Sequence, residues 1–140
     1  MKSVIASAAV AALLLAGSAQ AASLTLAADL AGANEVPANT TAGKGHVDAT
    51  LDTTTNILTY TVRYSGLSGA PTMAHFHGPA AAGVNAPPIV TVNVQGIPMR
   101  GASTLTAAQV ADIKAGNWYF NIHTAAHPGG EIRGQVQVKK

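Results

Sequence analysis

Six segments of the chain alternate apolar and polar residues with period two. In SLTLAADL, Leu24, Leu26, Ala28 and Leu30 share a face; in GHVDATLD, Val47, Ala49 and Leu51 do; in ILTYTVRY, Leu58, Tyr60, Val62 and Tyr64. PIVTVNV sets Val90, Val92 and Val94 together, NWYFNIH sets Trp118, Phe120 and Ile122, and EIRGQVQV sets Ile132, Val136 and Val138. Successive side chains of a strand point to opposite faces, so this alternation predicts half-buried antiparallel strands. DTTTN at 52–56, SGLSGAP at 65–71 and HPGG at 127–130 carry the turn residues that separate strands. One segment breaks the pattern. In LTAAQVADIKAG, Thr106 with Gln109 three residues on forms a capping box, Leu105 and Val110 occupy staple positions, and Gly116 suits the C-terminal cap. The chain is therefore predicted to be all-β, a β-sandwich or Greek-key barrel with one short helix near 107–115.

The first residues read as an export signal instead. Lys2 supplies a positive start, Val4 to Ala16 is a short apolar run, and Ala19-Gln20-Ala21 fits a small-x-small cleavage site. Residues 1–21 are expected to be a signal peptide and residues 22–140 a single domain, working in the periplasm or secreted. No later stretch is apolar enough to span a membrane by a helix. Eight Lys and Arg face six Asp and Glu, scattered rather than gathered into a basic stripe, which argues against a nucleic-acid partner. With no cysteine, thiolate metal sites and thiol nucleophiles are excluded, leaving histidine and carboxylate as ligand types.

Four of the five histidines fall into two clusters. His75 and His77 lie in AHFHGP, two apart, so on a strand they project to one face while Phe76 points to the core. His123 and His127 lie in NIHTAAHPGG, at the end of a strand and in the turn that follows. If the two strands are neighbours, His75, His77, His123 and His127 converge on one ion. Imidazole suits copper and zinc better than calcium or magnesium, and four imidazoles without thiolate favour copper over zinc. The competing expectation is that neutral histidines hydrogen-bond turn backbone without any metal.

Glu131 and Arg133 share a strand face and are candidates to support a histidine; otherwise they form a surface ion pair worth about 0–1 kcal/mol. His46 is expected to be solvated. Glu35 is a single loop carboxylate without an evident partner, weak grounds for acid–base work. Ser65, Ser68 and Ser103 sit in turn-like settings with no nucleophile-elbow signature.

NEVP at 34–37, TMAHFHGPAAAGVNAPPIV at 72–90 and GNWYFNIHTAAHPGGEIRGQV at 116–136 resemble the chordin-domain (CHRD) family in its bacterial, stand-alone form. That resemblance implies a secreted or periplasmic β-rich module. In animal chordin the domain belongs to an extracellular antagonist of bone morphogenetic proteins, but the cysteine-rich modules that flank it there are missing, so growth-factor binding is not carried over. HFHGP and the later histidines are also similar to Cu/Zn superoxide dismutase. By that similarity His75, His77 and His123 or His127 would ligate copper and Arg133 would attract an anion. The dismutase disulfide is absent, and its zinc cluster has no counterpart. An immunoglobulin-like or superoxide-dismutase-like barrel is thus expected, with three readings of its use. The first is an exported, non-enzymatic domain binding copper or another transition metal; the second a metal-free interaction or structural module with an unnamed protein partner; the third a copper-only dismutase-like enzyme.

Overall fold

A computed structural model describes residues 22–140, and the signal-peptide reading falls on residues 1–21, outside them. The described chain is antiparallel β with one α-helix and a single 3-10 turn at Gly32–Asn34. Strands β1 (Ser23–Ala31), β2 (Lys44–Asp52) and β3 (Ile57–Ser65) form a meander in continuous register. They are followed by β4 (Pro71–His77), β5 (Pro88–Thr91), β6 (Met99–Thr104), α1 (Ala107–Lys114), β7 (Tyr119–Thr124), β8 (Ile132–Gln135) and β9 (Gln137–Val138). The sheet runs β5-β4-β7-β8-β1-β2-β3-β6, with β9 alongside β1, and curls almost into a closed barrel. The connections from β3 to β4, β5 to β6 and β6 to β7 each cross between its two halves.

The alternating apolar faces meet inside. Leu26, Leu30, Val47, Leu51, Leu58, Val62, Phe76, Phe120, Ile122 and Ile132 are all at most 1% exposed. Each such side chain contributes about 1.5–3 kcal/mol of burial. Helix α1 matches its sequence signals. Gln109 N–H donates to Thr106 Oγ1 at 3.2 Å, Thr106 N–H donates to Gln109 Oε1 at 2.9 Å, and Ile113 is fully buried. Strand β6 is a correction. MRGAST lacks alternation, and Ser103 was expected in a turn, yet it pairs with Leu58 of β3. Pairing with a preformed neighbour supplies the order that side-chain pattern did not.

The second correction concerns polarity. In β7 all six residues are buried, and in β8 Ile132, Arg133 and Gly134 are as well. These strands lie in the middle of one half of the sheet, so their inner face meets the core. Their outer face, expected to be solvated, is roofed by the segments around Glu35, Val84–Ala86 and His127–Gly130.

Candidate metal centre

The site lies on that roofed outer face, where β4 and β7 pair. The register sets Met73 opposite His123, His75 opposite Asn121 and His77 opposite Tyr119. Paired residues on one face hold their Cβ atoms about 4.5–5.5 Å apart, with diagonal neighbours within reach of long side chains. Three imidazoles therefore gather: ring-nitrogen atoms of His75, His77 and His123 all lie within 4.8 Å of one another. His75 Nδ1 and His123 Nε2 are 3.4 Å apart, the spacing of two ligands on one tetrahedral ion at about 2.0–2.1 Å from each. His77 and His123 are each 7% exposed and His75 is half-buried, so the group opens to solvent on the His75 side.

Backbone carbonyls fix two of the rings. His123 Nδ1 donates to Pro128 O at 2.9 Å, and His77 Nδ1 lies 2.8 Å from Ala86 O. A carbonyl only accepts, so in a neutral His123 ring Nδ1 carries the hydrogen and Nε2 presents its lone pair; His77 faces a second acceptor, Asn121 Oδ1, 3.0 Å from its Nε2, and a neutral ring donates to only one of the two. Outer hydrogen bonds of this kind orient metal-ligating histidines. Burial, then the neighbouring His123 and His77, holds His75 below its ordinary pKa. Burial also lowers His77, against its bonds to Ala86 and Asn121 and with help from the His123 and Arg133 charges. Neutral imidazole is the form that binds metal.

His127, proposed as a fourth ligand, lies outside this group. It belongs to the turn closing on His123: its N–H donates to Thr124 O at 3.1 Å, and its own carbonyl accepts from Gly130 N–H at 3.0 Å. Pro128 and the two glycines turn the chain at once, so His127 leaves the strand face while Pro128 O comes back to His123.

Glu131 and Arg133 do not form the surface ion pair that their shared face suggested. Both are buried and each has its own partners. Glu131 sits in a hydroxyl cage, accepting from Thr41 Oγ1, Ser68 Oγ and Thr124 Oγ1, each at 2.6 Å, and from Ser68 N–H at 2.8 Å. Burial alone would raise its pKa, but the bonds from Ser68, Thr124 and Thr41 outweigh that and bring it down to about 2. Arg133 donates to Val84 O at 2.6 Å and Asn85 Oδ1 at 2.8 Å. Its guanidinium is spent on that loop and only 2% exposed, so it offers nothing to an incoming anion.

Asn121 and Tyr119 were not singled out from sequence, and Glu35 was weighed there only as a loop carboxylate without a partner. Asn121 Oδ1 lies 3.0 Å from His77 Nε2 and can only accept there, so an ion bound at that nitrogen takes the place of this contact. The Tyr119 ring stacks on His77 with centroids 4.6 Å apart and planes 5° from parallel. Both residues share the β7 face with His123, a signal the alternation already carried. Glu35, in the loop after β1, is buried, and its Oε1 finds no hydrogen-bond donor among the described residues. Burial pushes its pKa up to about 7 despite the Arg133 charge and contacts with Asn121 and Val36. Gly130, with φ of 128°, passes beneath it; a Cβ there would strike Glu35 Oε1 and Asn121 Nδ2. His46 forms contacts on the exposed face of β2, with Nδ1 2.6 Å from Asp29 Oδ1.

The fold and the residues on its roofed face define an antiparallel β module with a histidine cluster, and comparison with known families completes the assignment. The CHRD domain model matches residues 26–136, nearly all of the described chain. The protein belongs to the CHRD family. No curated protein and no solved structure matches it.

Proposed function

We propose that this CHRD domain binds one transition-metal ion, copper in preference to zinc, through His75, His77 and His123, and that it does so after export to the periplasm or the medium. The observation that carries the reading is the approach of three imidazole nitrogens to one point, with the Pro128 carbonyl setting the tautomer of His123 and the Ala86 carbonyl holding the His77 ring. An imidazole donor set without thiolate suits copper. Export is supported by Lys2, the apolar run to Ala16 and the Ala19-Gln20-Ala21 site. Glu131 and Arg133 act as positioning residues. Glu131 ties Thr124, next to His123, to the loops carrying Thr41 and Ser68, and Arg133 holds the loop whose Ala86 carbonyl orients His77.

The test is copper(II) titration followed by spin resonance. Wild-type protein is expected to give a single stoichiometric, nitrogen-coordinated signal that a His75→Ala/His77→Ala variant lacks. Equal, weak and non-stoichiometric uptake by both proteins would end the proposal.

One observation favours a metal-free module. His75 Nδ1–H can donate to the free Nε2 of His123 at 3.4 Å, so the rings can satisfy one another without an ion. Protein that is isolated metal-free, and whose melting temperature copper leaves unchanged, would select that reading. The dismutase-like reading has lost its anion guide, because Arg133 is buried and committed to Val84 and Asn85.

A further inference from the structure

The centre as described has three ligands, and the strand register supplies a fourth candidate. Met73 stands directly opposite His123 in the β4–β7 ladder. It lies two residues before His75 and four before His77, so all three project to the same face of β4. The other described methionine, Met99, is fully buried in the core, whereas Met73 is 45% exposed on the rim of the histidine group. A singly exposed apolar side chain is ordinary and by itself means nothing. Here the exposed group is a thioether whose Cβ lies about 4.5–5.5 Å from that of His123, as in any directly opposed pair. Its unbranched, flexible side chain can swing over the open side of the three rings.

We propose that Met73 is the fourth donor of the centre and makes it a copper(I) site. This rests on the three-histidine reading and sharpens it. Thioether sulfur is a soft ligand that favours copper(I), whereas the commonest zinc ligands are thiolate, imidazole and carboxylate. Met73 therefore occupies the role that sequence spacing had given to His127. Its place at the exposed rim puts the sulfur on the side from which an ion would enter, while His77 and His123 stay buried behind it. The chemistry proposed is binding of the cuprous ion, with no electron transfer required.

The experiment compares the full chain with Met73→Leu and His123→Ala, using copper(I) under anaerobic conditions against a chromophoric chelator, and cobalt(II) separately. Met73→Leu keeps the volume and the apolar character of an exposed position, and circular dichroism checks that it folds. It is expected to weaken copper(I) binding roughly 10–100-fold while changing cobalt(II) binding by no more than about twofold. X-ray absorption of the copper(I) protein is expected to show a sulfur scatterer that the Met73→Leu protein lacks. If Met73→Leu binds copper(I) like wild type, with the same scatterers, while His123→Ala loses it, Met73 is no ligand and the three-histidine site stands. If wild type binds neither copper(I) nor cobalt(II) stoichiometrically, the histidine reading fails and the Met73 proposal falls with it.

Discussion

The guanidinium carbon of Arg133 lies 3.4 Å from the ring centroid of Tyr119, and that ring is stacked in turn on His77. The same guanidinium donates to Val84 O and Asn85 Oδ1, just before the Ala86 carbonyl that contacts His77 Nδ1 at 2.8 Å. Arg133→Lys keeps the charge but loses the planar fork that allows stacking and two separate hydrogen bonds. We expect a destabilisation of about 1–3 kcal/mol, because Val84 O and Asn85 are left short of donors. Cobalt(II) affinity should fall roughly 10–100-fold, as for other losses of outer-sphere support. Unchanged affinity in a folded Arg133→Lys protein would show that the loop is held in place without the guanidinium.

Glu131 makes acid stability a second test. Its carboxyl is held down at about 2, against an ordinary 4.5, by the hydroxyls around it. A depressed folded-state pKa contributes stability that is fully present above the unfolded value and is lost as pH falls toward the folded one. Wild-type stability should therefore decline between about pH 4.5 and pH 2 by about 3 kcal/mol from this group. Glu131→Gln should start lower at pH 7 and show a shallower decline over that window, followed by denaturant midpoints. Parallel pH profiles for the two proteins would mean that the cage does not favour the anion.

The strands and the helix were legible because their signals are local. Period two in β1, β2, β3 and β7, and the Thr106–Gln109 box of α1, are set by neighbours within a few residues. β6 was not, since Arg100, Gly101 and Ser103 alternate with nothing and are ordered by pairing with β3. At the site, the local pairs His75–His77 and the His123 face could be read directly, but convergence depends on β4 lying beside β7, which no spacing encodes. Alternation also misjudged the outer face of β7 and β8. Polar residues there were assigned to water, whereas loops from 35, 84–86 and 127–130 cover them. Burying Asn121, Glu131 and Arg133 is tolerable because they find partners, most of them more than forty residues distant in sequence, such as Ser68 and Asn85. His127 was read correctly as part of the turn after β7, but spacing could not say which way that turn leads, and it sets the ring outside the three-histidine group.

Glu35 gives a pH response of opposite sign to Glu131. Its carboxyl is raised to about 7 by burial, so the folded protein holds a proton that the unfolded chain releases above its ordinary 4.5. The protonated form carries the stability. As pH rises from about 4.5 through 7, the cost of ionising Glu35 in place accumulates to about 3 kcal/mol. Glu35→Gln removes that cost. It should melt close to wild type at pH 5 and above it at pH 8, measured by calorimetry on both proteins. A variant that melts below wild type at pH 8 would mean that the ionised carboxylate is stabilised where it sits.

Metal linkage separates the ligands from the bystander. An ion that binds only the folded state stabilises it by RT ln(1 + [M]/Kd), about 2.7 kcal/mol at a hundredfold excess over Kd. For a domain of this size that corresponds to a rise in Tm of several degrees, reversed by chelator. His123→Ala removes a ring whose Nε2 faces His75 and should abolish the rise. His127 makes only backbone contacts to Thr124 and Gly130 among the bonds of its turn, and it lies outside the three-ring group. His127→Ala should therefore keep the metal-induced rise within about a degree of wild type, even if the apo Tm drops slightly. Loss of the rise in His127→Ala would mean that the turn swings its imidazole onto the ion when metal enters. In that case the four-histidine centre that the sequence spacing suggested would form on binding, with Pro128 O releasing His123 Nδ1 as the turn moves.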